Sequence, residues 1–150
     1  MIRLFALLLV VAVPALADAP TATAKPTRKQ VLVPGSGTSP LSAVVRAGEL
    51  VFVSGQLGFP QGSRELVPGG VGPETQAALE GVAVNLAKVG LGMDDVVKCT
   101  VFLADIADFP TMNGVYTKFF AKDPPARSTV AVAALVLKAK VEIECIAVTK

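Results

Sequence analysis

Arg127 and Glu142 are the residues through which this chain could do chemistry. Arg127 follows Pro124-Pro125-Ala126 at the start of a strand-like run. Its planar guanidinium matches a carboxylate with two parallel hydrogen bonds, so at that place it can anchor a small carboxylic acid. Glu142 interrupts a mostly apolar stretch, where a carboxylate taken out of water must be paired or put to use. Each also has a purely structural explanation. Arg127 could form a surface ion pair, and Glu142 could pair with Arg127 or with a lysine of a neighbouring subunit. The chain has no His, which removes the Ser/His/Asp and Cys/His nucleophiles and any His-rich zinc or iron site. Cys99 and Cys145 form no CxxC pair and have no further ligands nearby, so no metal site is expected. They are core residues or one disulfide, and a disulfide needs their Cα atoms within about 7 Å.

The elements that must position these residues follow from hydrophobic period. Residues 42–45 and 50–55 flank the turn-like Arg46-Ala47-Gly48-Glu49 and predict a hairpin. Residues 59–72 are too rich in Gly and Pro for a regular element and predict a loop. From Pro73 the period changes to that of a helix, with Leu79, Val82, Ala83, Leu86 and Val89 on one face, Glu74 near its positive end and Gly90 as its cap. Residues 96–103 predict a strand. A second helix follows, with Asp108 as N-cap, Pro110 in its first turn, and Phe109, Met112, Tyr116 and Phe119 on one stripe. Tyr116 is expected in the core with its hydroxyl tied to a neighbour. Residues 128–134 and 141–148 complete the order β-β-α-β-α-β-β, an α+β domain with its helices on one sheet face. Cys99 is patterned with Val97 and Val101, and Cys145 with Val141 and Ile143. In the last strand Val141, Ile143, Cys145 and Ala147 point one way, and Glu142, Glu144, Ile146 and Val148 the other. That second set mixes apolar residues with carboxylates, which predicts a homo-oligomer covering the face the helices leave open.

At 150 residues, 52% hydrophobic and 17% charged, the chain is long and apolar enough for one domain with a sizeable core. Residues 1–17 read as a secretory signal: Arg3, an apolar run over 4–13, and Ala15-Leu16-Ala17 as the cleavage site. The apolar run is too short to span a membrane, which needs roughly 20 residues. Cleavage after Ala17 predicts a secreted or periplasmic protein, in a compartment where a disulfide persists. Residues 18–34 read as a flexible leader and 35–150 as the folded domain. A formal charge of +2 is too small for a phosphate-backbone binder, so no nucleic-acid partner is expected.

Pro125-Ala126-Arg127-Ser128-Thr129-Val130 followed by Val141-Glu142-Ile143-Glu144 resembles the signature of the RidA (YjgF/YER057c/UK114) family. Phe52-Val53-Ser54-Gly55-Gln56, residues 96–102 and Asn113-Gly114-Val115-Tyr116 add to the match, which runs from about Ser39 to the C-terminus. The resemblance implies a chorismate-mutase-like fold assembled as a homotrimer with ligand clefts between subunits, and no metal or organic cofactor. It implies hydrolysis of 2-iminopropanoate and 2-iminobutanoate to 2-oxoacids and ammonia. Arg127 would bind the carboxylate and Glu142 would orient the attacking water, with further contacts from backbone groups near Gly55 and Thr129 and from the side chains of Ser54 and Asn113. For Asn113 a plain helix-surface amide is an equal alternative, and Glu144 is read as a solvated or interface charge. Two positions depart from the family pattern. Leu41 stands where deaminating members usually carry Tyr, and Thr129 where many have Cys. The competing functions are a trimeric small-carboxylate binder or chaperone-like protein without turnover and, further off, an endoribonuclease.

Overall fold

The computed structural model describes residues 29–149. The expected signal over 1–17 and most of the expected leader lie outside the described residues. Among the described residues six strands form one sheet: β1 (Gln30–Pro34), β2 (Ser42–Ala47), β3 (Leu50–Leu57), β4 (Val96–Leu103), β5 (Ala126–Ala131) and β6 (Val141–Val148), in the order β1-β2-β3-β6-β4-β5. Only β4 and β5 run parallel; they are joined through the helix α2 (Phe109–Phe119). The other helix, α1 (Val71–Ala87), bridges β3 and β4 and packs on β3, β6 and α2. The fold is the expected α+β arrangement with helices on one face.

One strand was not expected. Gln30–Pro34 pairs antiparallel with β2, and Leu32 and Val33 pack against the core. This part of the predicted leader over 18–34 therefore belongs to the sheet. Its ladder is interrupted by register shifts between Val31 and Pro34, so its apolar residues do not alternate in the way that marks a half-buried strand.

The hairpin closes at Gly48, whose φ of 63° a residue with a side chain rarely adopts. α1 begins two residues before Pro73 and ends where expected, the Leu91 N–H donating to Leu86 O at 3.0 Å around Gly90 (φ 77°). Leu79, Val82 and Leu86 are fully buried. Glu74, expected to serve the positive helix end, is buried and accepts the Lys140 N–H at 2.7 Å, fastening α1 to the start of β6. The cap expected from Asp108 is absent. Asp108 has helical backbone angles, and Asp105 instead accepts the Ala107 N–H at 2.9 Å, capping a 3-10 turn that precedes α2. In β4 a register shift at Val97 turns that residue out, 42% exposed, so it does not share the face of Cys99 as its spacing implied.

Cys99 and Cys145 stand directly opposite one another on β4 and β6, with Cα atoms 4.1 Å apart, and form a disulfide in the core. Val141, Ile143, Cys145 and Ala147 are buried beneath the helices. The opposite sheet face keeps Leu50, Phe52 and Val130 at 41%, 38% and 44% exposure.

Candidate functional site

The candidate residues gather into two half-sites on opposite faces of the sheet. Register decides this. Arg127 pairs with Cys99 and Thr129 with Val101, both core-facing, so Arg127 and Thr129 share the helix-covered face. Glu142 pairs with Phe102 and Leu57 on the open face.

On the helix side, Arg127 Nη2 donates to Asn113 Oδ1 at 2.8 Å. The guanidinium carbon lies 4.5 Å from the Tyr116 ring centroid and 5.6 Å from that of Phe109. Asn113 and Tyr116 lie three apart on α2, with Phe109 one turn before, so a single helix face supplies both the amide and the rings. Among the described residues no carboxylate pairs with Arg127, so the ion-pair alternative fails within the chain. Its remaining donors keep their capacity for an acid. Asn113 is thereby a partner of the guanidinium and not merely a surface amide. The Tyr116 hydroxyl, expected to be tied to a neighbour, is buried without a partner among the described residues, as is Thr129 Oγ1. Burial pushes the Tyr116 phenol above its ordinary pKa, with the Arg127 charge opposing.

On the open face, Glu142 lies against Gly55. A Cβ at position 55 would overlap Glu142 Oε1 and come within 2.9 Å of its Cδ, so only glycine admits the carboxylate there. Gly55 belongs to a β-bulge: Ser54 and Gly55 together oppose Glu144 alone, between the pairs Val53 with Cys145 and Gln56 with Ile143. Partial desolvation raises the Glu142 pKa above the usual carboxylate value, and the charge of Glu144 raises it further. The Ser54 hydroxyl is committed to Ser42 O at 2.7 Å, a hold between β2 and β3. Ser54 and Glu144 also line a shallow hollow of about 300 Å³ with Phe52 and Ile146. Leu41 stands just before β2, 56% exposed.

Phe109, as part of the guanidinium platform, and Gln56, whose amide reaches α1, are site residues that the sequence does not single out. The stripe Phe109, Met112, Tyr116 is visible there but carries no mark of which member faces an arginine. Among the described residues no three His, Cys, Asp or Glu side chains cluster as metal ligands.

A family model described as Endoribonuclease L-PSP matches residues 35–149. The chain is 47% identical over 111 residues to the RutC family protein UK114 of Drosophila melanogaster, covering 74% of this chain and 80% of that protein. It is 46% identical over 109 residues to a 2-iminobutanoate/2-iminopropanoate deaminase of Bos taurus, covering 73% and 80%. A crystal structure of a putative endoribonuclease from Thermotoga maritima superimposes with a TM-score of 0.73 at 38% identity, covering 81% of this chain and 94% of that one.

Proposed function

The chain belongs to the endoribonuclease L-PSP family, the RidA family of the resemblance above, and from that membership we propose that it hydrolyses small 2-iminoacids to 2-oxoacids and ammonia. The observation that carries the reading is the free capacity of Arg127: a half-buried guanidinium, oriented by Asn113 and two aromatic rings, with no carboxylate of its own among the described residues. A 2-iminoacid presents the carboxylate that this fork lacks. Glu142 accepts a proton of a water as the water oxygen bonds to the C=N carbon and the π pair moves to nitrogen, and it returns that proton to the nitrogen. The resulting carbinolamine expels ammonia as its hydroxyl proton passes by way of Glu142 to the leaving nitrogen and the C–O bond becomes the carbonyl. The raised pKa of Glu142 suits a base that must also return its proton.

Two half-sites on opposite faces cannot close on one ligand within one chain. We take the working form to be a homotrimer in which the open face of one copy, bearing Glu142 and Gly55, meets the β5 edge of another, bearing Arg127 and Thr129. The exposed Leu50, Phe52 and Val130 support this, because water is a poor partner for that face. Export after cleavage at Ala17 is part of the same proposal, supported by the Cys99–Cys145 disulfide, a bond that persists in oxidising compartments.

The test generates 2-iminopropanoate with an amino-acid oxidase and follows its disappearance. The protein accelerates the loss, and Arg127→Ala lowers kcat/KM by roughly 10- to 100-fold, the value of a charge-assisted contact. A folded protein that only gains thermal stability from 2-oxobutanoate would establish carboxylate binding without turnover, the reading that Leu41, with no hydroxyl, favours.

A further inference from the structure

Three polar or charged side chains are buried among the described residues: Glu74, Thr75 and Asn85. Glu74 accepts the Lys140 N–H, and Thr75 Oγ1 donates within its own helix to Val71 O. Asn85, on α1 and 7% exposed, does neither. Its Nδ2 donates to Gln56 Oε1 at 3.2 Å, and its Oδ1 accepts from Lys88 Nζ at 3.2 Å. Gln56 Nε2 in turn donates to Ser54 O at 2.7 Å and to Gly55 O at 3.3 Å.

We propose that Asn85 and Gln56 are positioning residues, a row of amides that holds the Ser54-Gly55 bulge and through it the carboxylate of Glu142; this rests on the imine-hydrolase reading. A bulge puts two residues opposite one and disturbs the ladder, so its carbonyls need partners from elsewhere. Gln56 supplies them by folding its amide back onto the carbonyls of Ser54 and Gly55. Both amide hydrogens are then spent, and Oε1 must accept. The buried Asn85 is the donor that fixes that orientation, and Lys88 fixes the orientation of Asn85. Such a row is cooperative, since turning either amide would set oxygen against oxygen. The helix is shaped for it: a Cβ at Gly81 would come within 3.0 Å of Gln56 Oε1. On the other side of the sheet, Gly55 touches Glu142 with no room to spare. Freedom gained at Asn85 is therefore passed through Gln56 to the one backbone position against which the carboxylate rests.

Asn85→Leu, which keeps the branched shape but has no donor, and Gly81→Ala, which displaces Gln56 while leaving Asn85 in place, test this on the full mature chain. In folded protein both lower kcat for 2-iminopropanoate by about tenfold, short of the ~100-fold that a 1 Å misplacement can cost. KM stays within about twofold, because Arg127 lies on another element. The backbone amide resonances of Gly55 and Glu142 shift in both variants. A merely structural role would lower the melting temperature and leave kcat and those resonances in place, and that result overturns the proposal. If the wild type does not turn over iminoacid, the hydrolase reading fails, while the Gly55 resonance in Asn85→Leu still decides whether the row of amides holds the bulge. Should Asn85→Leu not fold, the same readouts on Gly81→Ala decide between the two outcomes.

Discussion

Under the proposed hydrolysis Arg127 and Glu142 have opposite tasks, and their surroundings differ accordingly. Arg127 rests on Tyr116 and Phe109 with one nitrogen held by Asn113, so its guanidinium is oriented without being neutralised. Glu142 is partly desolvated beside Gly55 and repelled by Glu144, which keeps its carboxyl protonated to higher pH than an ordinary side chain. A base must be deprotonated to accept a proton, so activity is expected to rise with pH through the raised pKa of Glu142. Glu144→Gln removes the smaller of the two causes and leaves desolvation in place. The acid limb of the kcat/KM profile is then expected to move to lower pH with the plateau kept, and an unmoved limb would detach Glu142 from the titration. Both residues can be picked out in the sequence, Glu142 as one of two carboxylates in a mostly apolar strand and Arg127 as an arginine after two prolines within the run that resembles the family signature. Asn113 does not stand out. Its meeting with Arg127 joins α2 to β5 across 14 positions, and nothing in an isolated helix says which amide faces a neighbouring strand.

At the scale of elements, the period of the apolar residues located both helices and the strands β4 and β6 closely, since each keeps one face in the core. The differences occur where a strand departs from regular pairing. β1 has register shifts, and Val97 and the pair Ser54-Gly55 sit in irregularities that alternation cannot announce. The Cys99–Cys145 disulfide depends on register in the same way: a slip of one residue would send one of the two side chains to the other face. The bond closes a loop with a sequence separation of 46. Constraint of the unfolded chain makes it worth about 4 kcal/mol on the chain-entropy estimate. Urea unfolding with and without reductant is expected to show a lower midpoint once the bond is cut, together with two thiols that react only in the reduced, unfolded protein. Two reactive thiols in the unfolded, unreduced protein would show that the cysteines are free.

For the whole molecule, the sheet sorts its chemistry by face. Arg127, Thr129 and Asn113 belong to the helix layer at the β5 edge, and Glu142 and Gly55 to the uncovered face. Under the proposed trimer each site draws one half from each of two copies. Arg127→Ala and Glu142→Gln, each impaired alone, are then expected to regain part of the activity when unfolded together and reassembled, because mixed trimers contain junctions where the intact Arg127 of one copy meets the intact Glu142 of the other. Mixed trimers no more active than their parents would overturn the site shared between copies.

What the residues determined by themselves was the class of fold, the helix faces and the core-facing set of β6, because these follow from local period, whereas Arg127 and Glu142 were singled out by their chemistry together with the resemblance to the family signature. Register, bulges and side-chain partners across long separations were decided by tertiary structure. These settled that the cysteines pair, that Ser54 serves the backbone, that Gln56 reaches α1, and that Arg127 and Glu142 lie on opposite faces of the sheet. The physical reason is that strand pairing is selected by the packing of the whole sheet, and a shift of one residue reverses every side chain while hardly altering the local preferences of the chain.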